Sequence, residues 1–281
     1  MTFTTKKGVQ IQMLKTRVIS AVIFVPLILA FLCLRGNYLF LFVAFISLIG
    51  LHEYFKAMRN VKVATIDLLG YAMAVGYFIF MLLPGAGKYI GILVSFFTMA
   101  VMSYEIIAQK HNIVDISVTI FGVLYIPFFF SYIIYLDRLK YGNIILWLPF
   151  LTAWFTDTLA YFVGRRFGKT KLCPKVSPNK SVEGAIGGVI GCIVLNTVFG
   201  IIINHFGYNL SVVHFIIVGL LCGVTAQLGD LSASFIKRYS GVKDFGTLIP
   251  GHGGILDRFD SILFTAPTVY SYFFVISNFV K

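Results

Sequence analysis

The chain has 281 residues, of which 58% are hydrophobic and only 12% charged, with a formal net charge of +12. Ordinary soluble domains carry roughly a quarter charged residues, so this composition excludes one. A basic excess can serve nucleic acid, but here no polar stretch is long enough to fold into a domain that displays a basic face, so no nucleic-acid partner is expected.

A bilayer-spanning helix needs about 20 predominantly apolar residues. A window of that length predicts nine such segments, near 18–34, 38–57, 64–83, 88–108, 114–136, 143–164, 182–204, 210–238 and 259–280. The expected fold is therefore an all-α integral membrane protein, a polytopic bundle of about nine transmembrane helices. Residues 1–142 are expected to form a membrane scaffold of about five helices, and 143–281 a second membrane region of about four, with loops at 165–181 and 239–258. Lys15 and Arg17 ahead of the first apolar run imitate a secretory signal. That run is long and lacks a small-residue cleavage pattern, so it is read as a retained first helix. Cys33, Cys173, Cys192 and Cys222 show no paired spacing and indicate neither disulfides nor zinc.

Basic residues in a membrane protein report topology first. With nine spans and a cytoplasmic N-terminus, eighteen Lys and Arg fall on the inside and five (Arg35, Lys88, Arg138, Lys140 and Lys281) outside. The expectation is N-terminus inside and C-terminus outside, in a lipid bilayer.

Acidic residues of the first five spans (Glu53, Asp67, Glu105 and Asp115) cluster near predicted helix ends, where a structural role is expected. From Asp157 onward the content changes. Six of the eleven acidic residues fall there, in or beside the two inside loops. Charge near membrane depth is costly and marks function by default. Asp157 lies about 10 Å below the end of its span at 1.5 Å per residue, and shares a face with Trp154, Tyr161 and Gly164. The bland alternative is a helix-packing face with a snorkelling acid.

The loop that follows carries Lys169, then Ser177-Pro178-Asn179-Lys180-Ser181 ahead of a glycine-rich span. Ser177 with Pro178 makes a plausible N-cap and N1 pair, and Ser181 is a second cap candidate. Either start puts Lys180 at a helix N-terminus, which favours an anion such as phosphate; a capped turn with a topology-setting lysine is the alternative. Gly184, Gly187, Gly188 and Gly191 suit close helix packing more than ligand contact.

The eighth span ends with Gln227, Asp230, Ser234 and Lys237 at i, i+3, i+7 and i+10, a polar stripe that must face protein or a wet cavity. The next loop carries Lys243, Asp244 and His252, and the ninth span opens with Asp257, Arg258 and Asp260. Carboxylates converging from two helix ends suit a hard cation such as Mg2+, which commonly shares its ligands with substrate phosphates. Nearby Lys and Arg suit phosphate oxygens. A structural salt-bridge network is the alternative. A lone His252 between glycines reads as a loop donor, not a zinc ligand.

At these residues the chain resembles the phosphatidate cytidylyltransferase (CDP-diacylglycerol synthase) family. The pattern of Ser234, Lys237-Arg238, Lys243-Asp244, Pro250, His252-Gly253-Gly254, Asp257-Arg258 and Asp260 covers 27 positions without a gap, and the Asp157–Lys169 and Ser177–Gly184 runs look like upstream blocks. The resemblance implies transfer of a cytidylyl group from CTP to phosphatidic acid with Mg2+ as cofactor. It implies Asp230, Asp257 and Asp260 as metal ligands, and Lys180, Lys237, Arg238, Lys243 and Arg258 as holders of phosphate. Asp157, Lys169, Ser177, Asn179, Ser181, Ser234 and His252 are the remaining substrate-binding candidates. A homodimer is among the assemblies this reading allows. A CTP-dependent polyprenol or lipid kinase shares the His-Gly-Gly block and stays open, as does a transporter, although charge gathered at one face disfavours the latter.

Overall fold

The computed structural model describes residues 6–279, with side chains over 16–85 and 87–276. The side chains of Lys6, Lys7, Lys15 and Lys281, which enter the charge asymmetry, lie outside the described residues. In chain order the helices are α1 (Lys6–Leu34), α2 (Gly36–Arg59), α3 (Asp67–Phe80), α4 (Ile90–Ala108), α5 (Ile113–Tyr125), α6 (Pro127–Asp137), α7 (Gly142–Ile145) and α8 (Leu148–Phe167). A hairpin of β1 (Lys171–Cys173) and β2 (Ser177–Ser181) precedes α9 (Val182–His205), α10 (Val212–Tyr239) and α11 (Leu256–Phe279).

Among the described residues, eight helical stretches are long and apolar enough to cross a membrane, and α3 is a ninth, shorter apolar helix of 14 residues. The protein is an all-α polytopic membrane protein. The segment expected over 64–83 is thus cut short: 14 residues rise about 21 Å at 1.5 Å each, less than the about 30 Å of a hydrocarbon core. Pro84 and Gly85, the latter at φ +71°, follow it and turn the chain into a 3-10 turn at Ala86–Tyr89. Pro127 breaks the stretch Ile113–Asp137 into α5 and α6, because it offers no N–H to the preceding turn.

The chain divides into two compact units, Met1–Ser131 with Tyr239–Arg258, and Tyr132–Arg238 with Phe259–Lys281.

In the first unit α2 is the central helix, burying Leu39, Val43, Leu51 and Phe55. A Cβ on Gly70 of α3 would lie 2.6 Å from the Phe55 ring, so glycine there lets α3 approach. Arg35 and Gly36, both in the left-handed region at φ 55° and 53°, reverse the chain between α1 and α2. Three acidic residues of this unit serve structure. Asp115 closes a capping box with Asn112 at the start of α5 and accepts the N–H of Ala64 at 2.8 Å. Asp67 pairs with Arg59, and Glu105 accepts the N–H of His111 at 2.5 Å just past the end of α4.

In the second unit α8 and α9 pack closely because α9 is glycine-rich on the contact face. A Cβ on Gly188 would meet Ala160 and the Thr156 carbonyl at 3.0 Å, and one on Gly184 the Ala160 carbonyl at 2.8 Å. Phe150 on α8 meets Phe259 on α11 edge-on at 6.4 Å, and Thr265 donates to the Pro149 carbonyl at 3.0 Å. Cys192 and Cys222 are buried as small hydrophobes.

Candidate active site

The second unit gathers charge from four elements. Asp157 comes from α8, Lys180 and Ser181 from the end of β2, Asp230 from α10 and Asp260 from α11. All but Asp260 line a cavity of about 410 Å³, together with Asn179, Gly184 and Gln227. Lys180 Nζ forms an ion pair with Asp230 Oδ2. Ser234, one turn further along α10, donates to Asp230 Oδ1 at 3.4 Å. Asp260 lies within electrostatic reach of Asp230, Asp157 and Lys237, and the Ser261 hydroxyl donates to Asp157 Oδ2 at 3.4 Å.

Local rules explain why Lys180 points here. β2 pairs antiparallel with β1, Lys171 opposite Ser181 and Cys173 opposite Ser177. Glu183 in the first turn of α9 ties down the hairpin base by accepting the N–H groups of Lys169 at 3.0 Å and Thr170 at 3.1 Å. Ser181 is the N-cap of α9, its Oγ accepting the Gly184 N–H at 3.2 Å. The Ser177-Pro178 start is therefore overturned. Those residues are strand, because the Glu183 tie and the β1 pairing hold the chain extended until Ser181. Lys180 sits just before a helix N-terminus, but it meets a carboxylate of the protein.

The α10 stripe faces protein as the sequence required. Gln227 is buried and donates to the carbonyls of Gly223 at 2.8 Å and Ala185 at 3.1 Å, so its amide is satisfied away from lipid. Ser234 is also buried, Lys237 is half-buried and Arg238 is exposed, its Nε donating to the Val176 carbonyl at 3.3 Å. Lys169 is exposed and Ser177 half-buried.

The remaining motif residues belong to the first unit. Asp257 is buried and its Oδ2 accepts the N–H of Phe245 at 2.8 Å and of Gly254 at 3.0 Å, so it ties the two ends of the 245–254 loop together. Ile249 N–H donates to the Gly253 carbonyl at 2.9 Å, and Gly251 and Gly253 adopt φ +77° and +87°. His252 Nδ1 lies 2.8 Å from Ser20 Oγ. Partial burial and the positive charges of Arg258 and Arg17 hold the His252 imidazole below its ordinary pKa. Lys243, Asp244 and Arg258 are exposed. Of the expected trio, Asp230 and Asp260 lie with Asp157 in the second unit, and Asp257, in the first, accepts two amides of its own loop. Among the described residues no three His, Cys, Asp or Glu side chains are close enough together to hold a metal ion.

For one residue beside the motif loop the sequence suggested a structural role but not its partners. Glu53 is buried in α2, and its two carboxylate oxygens accept the N–H groups of Ile255 and Leu256, each at 3.0 Å, at the start of α11. A Cβ on Gly246 or Gly254 would collide with this carboxylate, so glycine at both positions leaves room for it. A signal existed. Gly253-Gly254-Ile255-Leu256 supplies no Ser, Thr, Asn or Asp at the cap, so the free N–H groups need an acceptor from elsewhere.

Comparison with known proteins agrees with these motifs. Residues 15–276 match the model of the cytidylyltransferase family. The chain is 36% identical to a phosphatidate cytidylyltransferase of Staphylococcus haemolyticus over 259 residues, covering 90% of this chain and 96% of the relative. Proteins of the same name from Staphylococcus saprophyticus and Staphylococcus aureus are each 36% identical over 257 residues, covering 90% of this chain and 94% of theirs.

Proposed function

The chain belongs to the cytidylyltransferase family, and from that premise we propose that it transfers the cytidylyl group of CTP to phosphatidic acid, releasing CDP-diacylglycerol and pyrophosphate for phospholipid synthesis. The structural observation that carries this reading is the Lys180–Asp230 ion pair, set in a cavity that also presents Asp157, Asn179 and Ser181. A cation held by a carboxylate is positioned before any ligand arrives, and a polyphosphate can take its place beside the acid without reorganising the wall.

In the reaction an oxygen of the lipid phosphate forms a bond to the α-phosphorus of CTP, while the bond from that phosphorus to the bridging oxygen breaks. Pyrophosphate leaves with the electron pair. The attacking phosphate is already anionic, so no side chain has to remove a proton. Lys180, Lys237 and Arg238 offset charge on phosphate oxygens, and Lys243 and Arg258 supply further cations on the motif loop. Asp230 and Asp260 are hard oxygen donors within reach of each other's charge, a set that fits Mg2+, which is usually bound by one or two carboxylates together with substrate phosphates. When bound, Mg2+ supplies further offset of nucleotide charge. Asp257 supports the loop that carries Lys243 and His252.

Counted with α3 as a ninth crossing, the eighteen-to-five distribution of basic residues supports an orientation with the 165–181 and 239–258 loops in the cytoplasm of a bacterial cell and the protein in its inner membrane. The deciding experiment is incubation of purified protein with phosphatidic acid and CTP labelled at either the α- or the γ-phosphate. Label from the α position alone is expected in the lipid. Transfer of γ label to a lipid alcohol would replace this reading with that of a kinase.

A further inference from the structure

The first unit contains an apolar groove that the chemistry above does not use. It has a volume of about 560 Å³, within the about 300–1,000 Å³ usual for small-molecule sites. Ile23, Leu27 and Phe31 of α1 form one wall, Leu41 and Phe45 of α2 the other, and Pro250 of the motif loop closes one end. Ile23, Leu27, Leu41 and Phe45 are all exposed. From Ser20 to Phe31 the α1 wall rises about 17 Å at 1.5 Å per residue, close to half of the about 30 Å hydrocarbon core.

Polarity along the groove is one-sided. At the Pro250 end, Ser20 Oγ lies 2.8 Å from His252 Nδ1, and the Arg17 side chain lies against Gly251, where a Cβ would come within 2.9 Å of it. Beyond Ser20 the lining is apolar apart from the hydroxyl of Tyr38. One leaflet's length of apolar wall, ending in a cation and a hydrogen-bonded Ser–His pair, matches an anionic lipid: one acyl chain and one phosphate.

We propose that this groove holds an acyl chain of the phosphatidic acid substrate, with Arg17 as a positioning residue for its phosphate at the motif loop. The occupant is a single lipid. Neutral bulk lipid would find the same apolar wall but no use for Arg17. The proposal rests on the cytidylyltransferase reading and goes beyond it by assigning the lipid's place to α1, α2 and the 248–255 loop.

The test uses full-length protein in phosphatidylcholine nanodiscs, with phosphatidic acid bearing a diazirine on one acyl chain. Light-induced labelling is expected on groove residues of α1 and α2, and it should be suppressed by excess unlabelled phosphatidic acid but not by added phosphatidylcholine. Leu27→Trp, which fills the groove, should raise KM for phosphatidic acid about tenfold with KM for CTP unchanged, and Arg17→Gln should shift the same constant in the same direction. Labelling elsewhere, equal competition by phosphatidylcholine, or crosslinks joining α1 of two copies would each overturn the proposal. If Leu27→Trp fails to insert, the labelling of unaltered protein still decides. Absence of any cytidylyl transfer by unaltered protein would instead overturn the functional reading, so the two failures are distinguishable.

Discussion

Lys180 and Asp230, fifty positions apart, form an ion pair between the end of a two-stranded hairpin and the polar stripe of α10. Neither residue is fully exposed, so the pair is partly withdrawn from water and removing one partner leaves the other inadequately compensated. Lys180→Met and Asp230→Asn should each lower kcat/KM for CTP by on the order of a hundredfold or more. If the two act as a unit, the double variant should be little worse than either single one. Full additivity, read from initial rates in detergent, would separate their roles.

The two amides that Asp257 accepts set it apart from Asp230 and Asp260 and give an ordered expectation for Mg2+. Asn keeps one oxygen donor but not the charge. Asp230→Asn and Asp260→Asn should leave weak activity that needs a higher Mg2+ concentration. Asp257→Asn should raise no such requirement; it should instead lower thermal stability, because one of its oxygens accepts two backbone N–H groups. Titration of activity against Mg2+ for the three variants checks the order, and an Mg2+ shift for Asp257→Asn would return that residue to the metal shell.

Glu53 holds the start of α11 through both oxygens. In Glu53→Gln one oxygen is replaced by an amide N–H2, which cannot accept, so one buried N–H is left without its partner. A hydrogen bond to a charged group is worth about 1.5–3 kcal/mol, and the melting temperature should fall by several degrees. Gly254→Ala should cost at least as much, since its Cβ would strike the Glu53 carboxylate. Thermal unfolding in detergent measures both.

His252 is held below its ordinary pKa by partial burial and by the charges of Arg258 and Arg17, while Ser20 Oγ faces its Nδ1. The unfolded chain then binds more protons than the folded one as pH falls through the ordinary histidine range near about 6.5. Stability of the loop should therefore decrease on acidification and recover as pH rises. Nitrogen-detected NMR of labelled histidine should place the His252 midpoint below that value, and Arg17→Gln should move it back upward.

The orientation proposed from the basic residues is open to a direct measurement. Lys175 is exposed in the hairpin turn. A Lys175→Cys variant on a background lacking the four native cysteines should resist an impermeant thiol reagent in intact cells and react after permeabilisation. Reaction in intact cells would invert the topology.

By itself the sequence determined whatever depends on one segment at a time. Bilayer spans follow from runs of apolar residues, the protein-facing side of α10 from the spacing of Gln227, Asp230, Ser234 and Lys237, and the close packing of α9 from its glycines. The family was legible in an ungapped run from Ser234 to Asp260. Only the tertiary structure decided which distant groups meet. Local pattern left two helix starts open at Ser177 and Ser181; the choice fell to Ser181 because Glu183 and the β1 pairing hold β2 extended. Asp257 and Asp260 share a helix face by spacing, yet Asp257 turns to the amides of Phe245 and Gly254, while Asp260 lies by Asp157 and Asp230. Glu53 looked like one more acid near a helix end until folding placed it under the uncapped N–H groups of Ile255 and Leu256, 202 and 203 residues away. Unpaired N–H groups and carboxylates can be listed from sequence, but a buried donor is satisfied by whichever acceptor the fold brings to it, and that choice is three-dimensional.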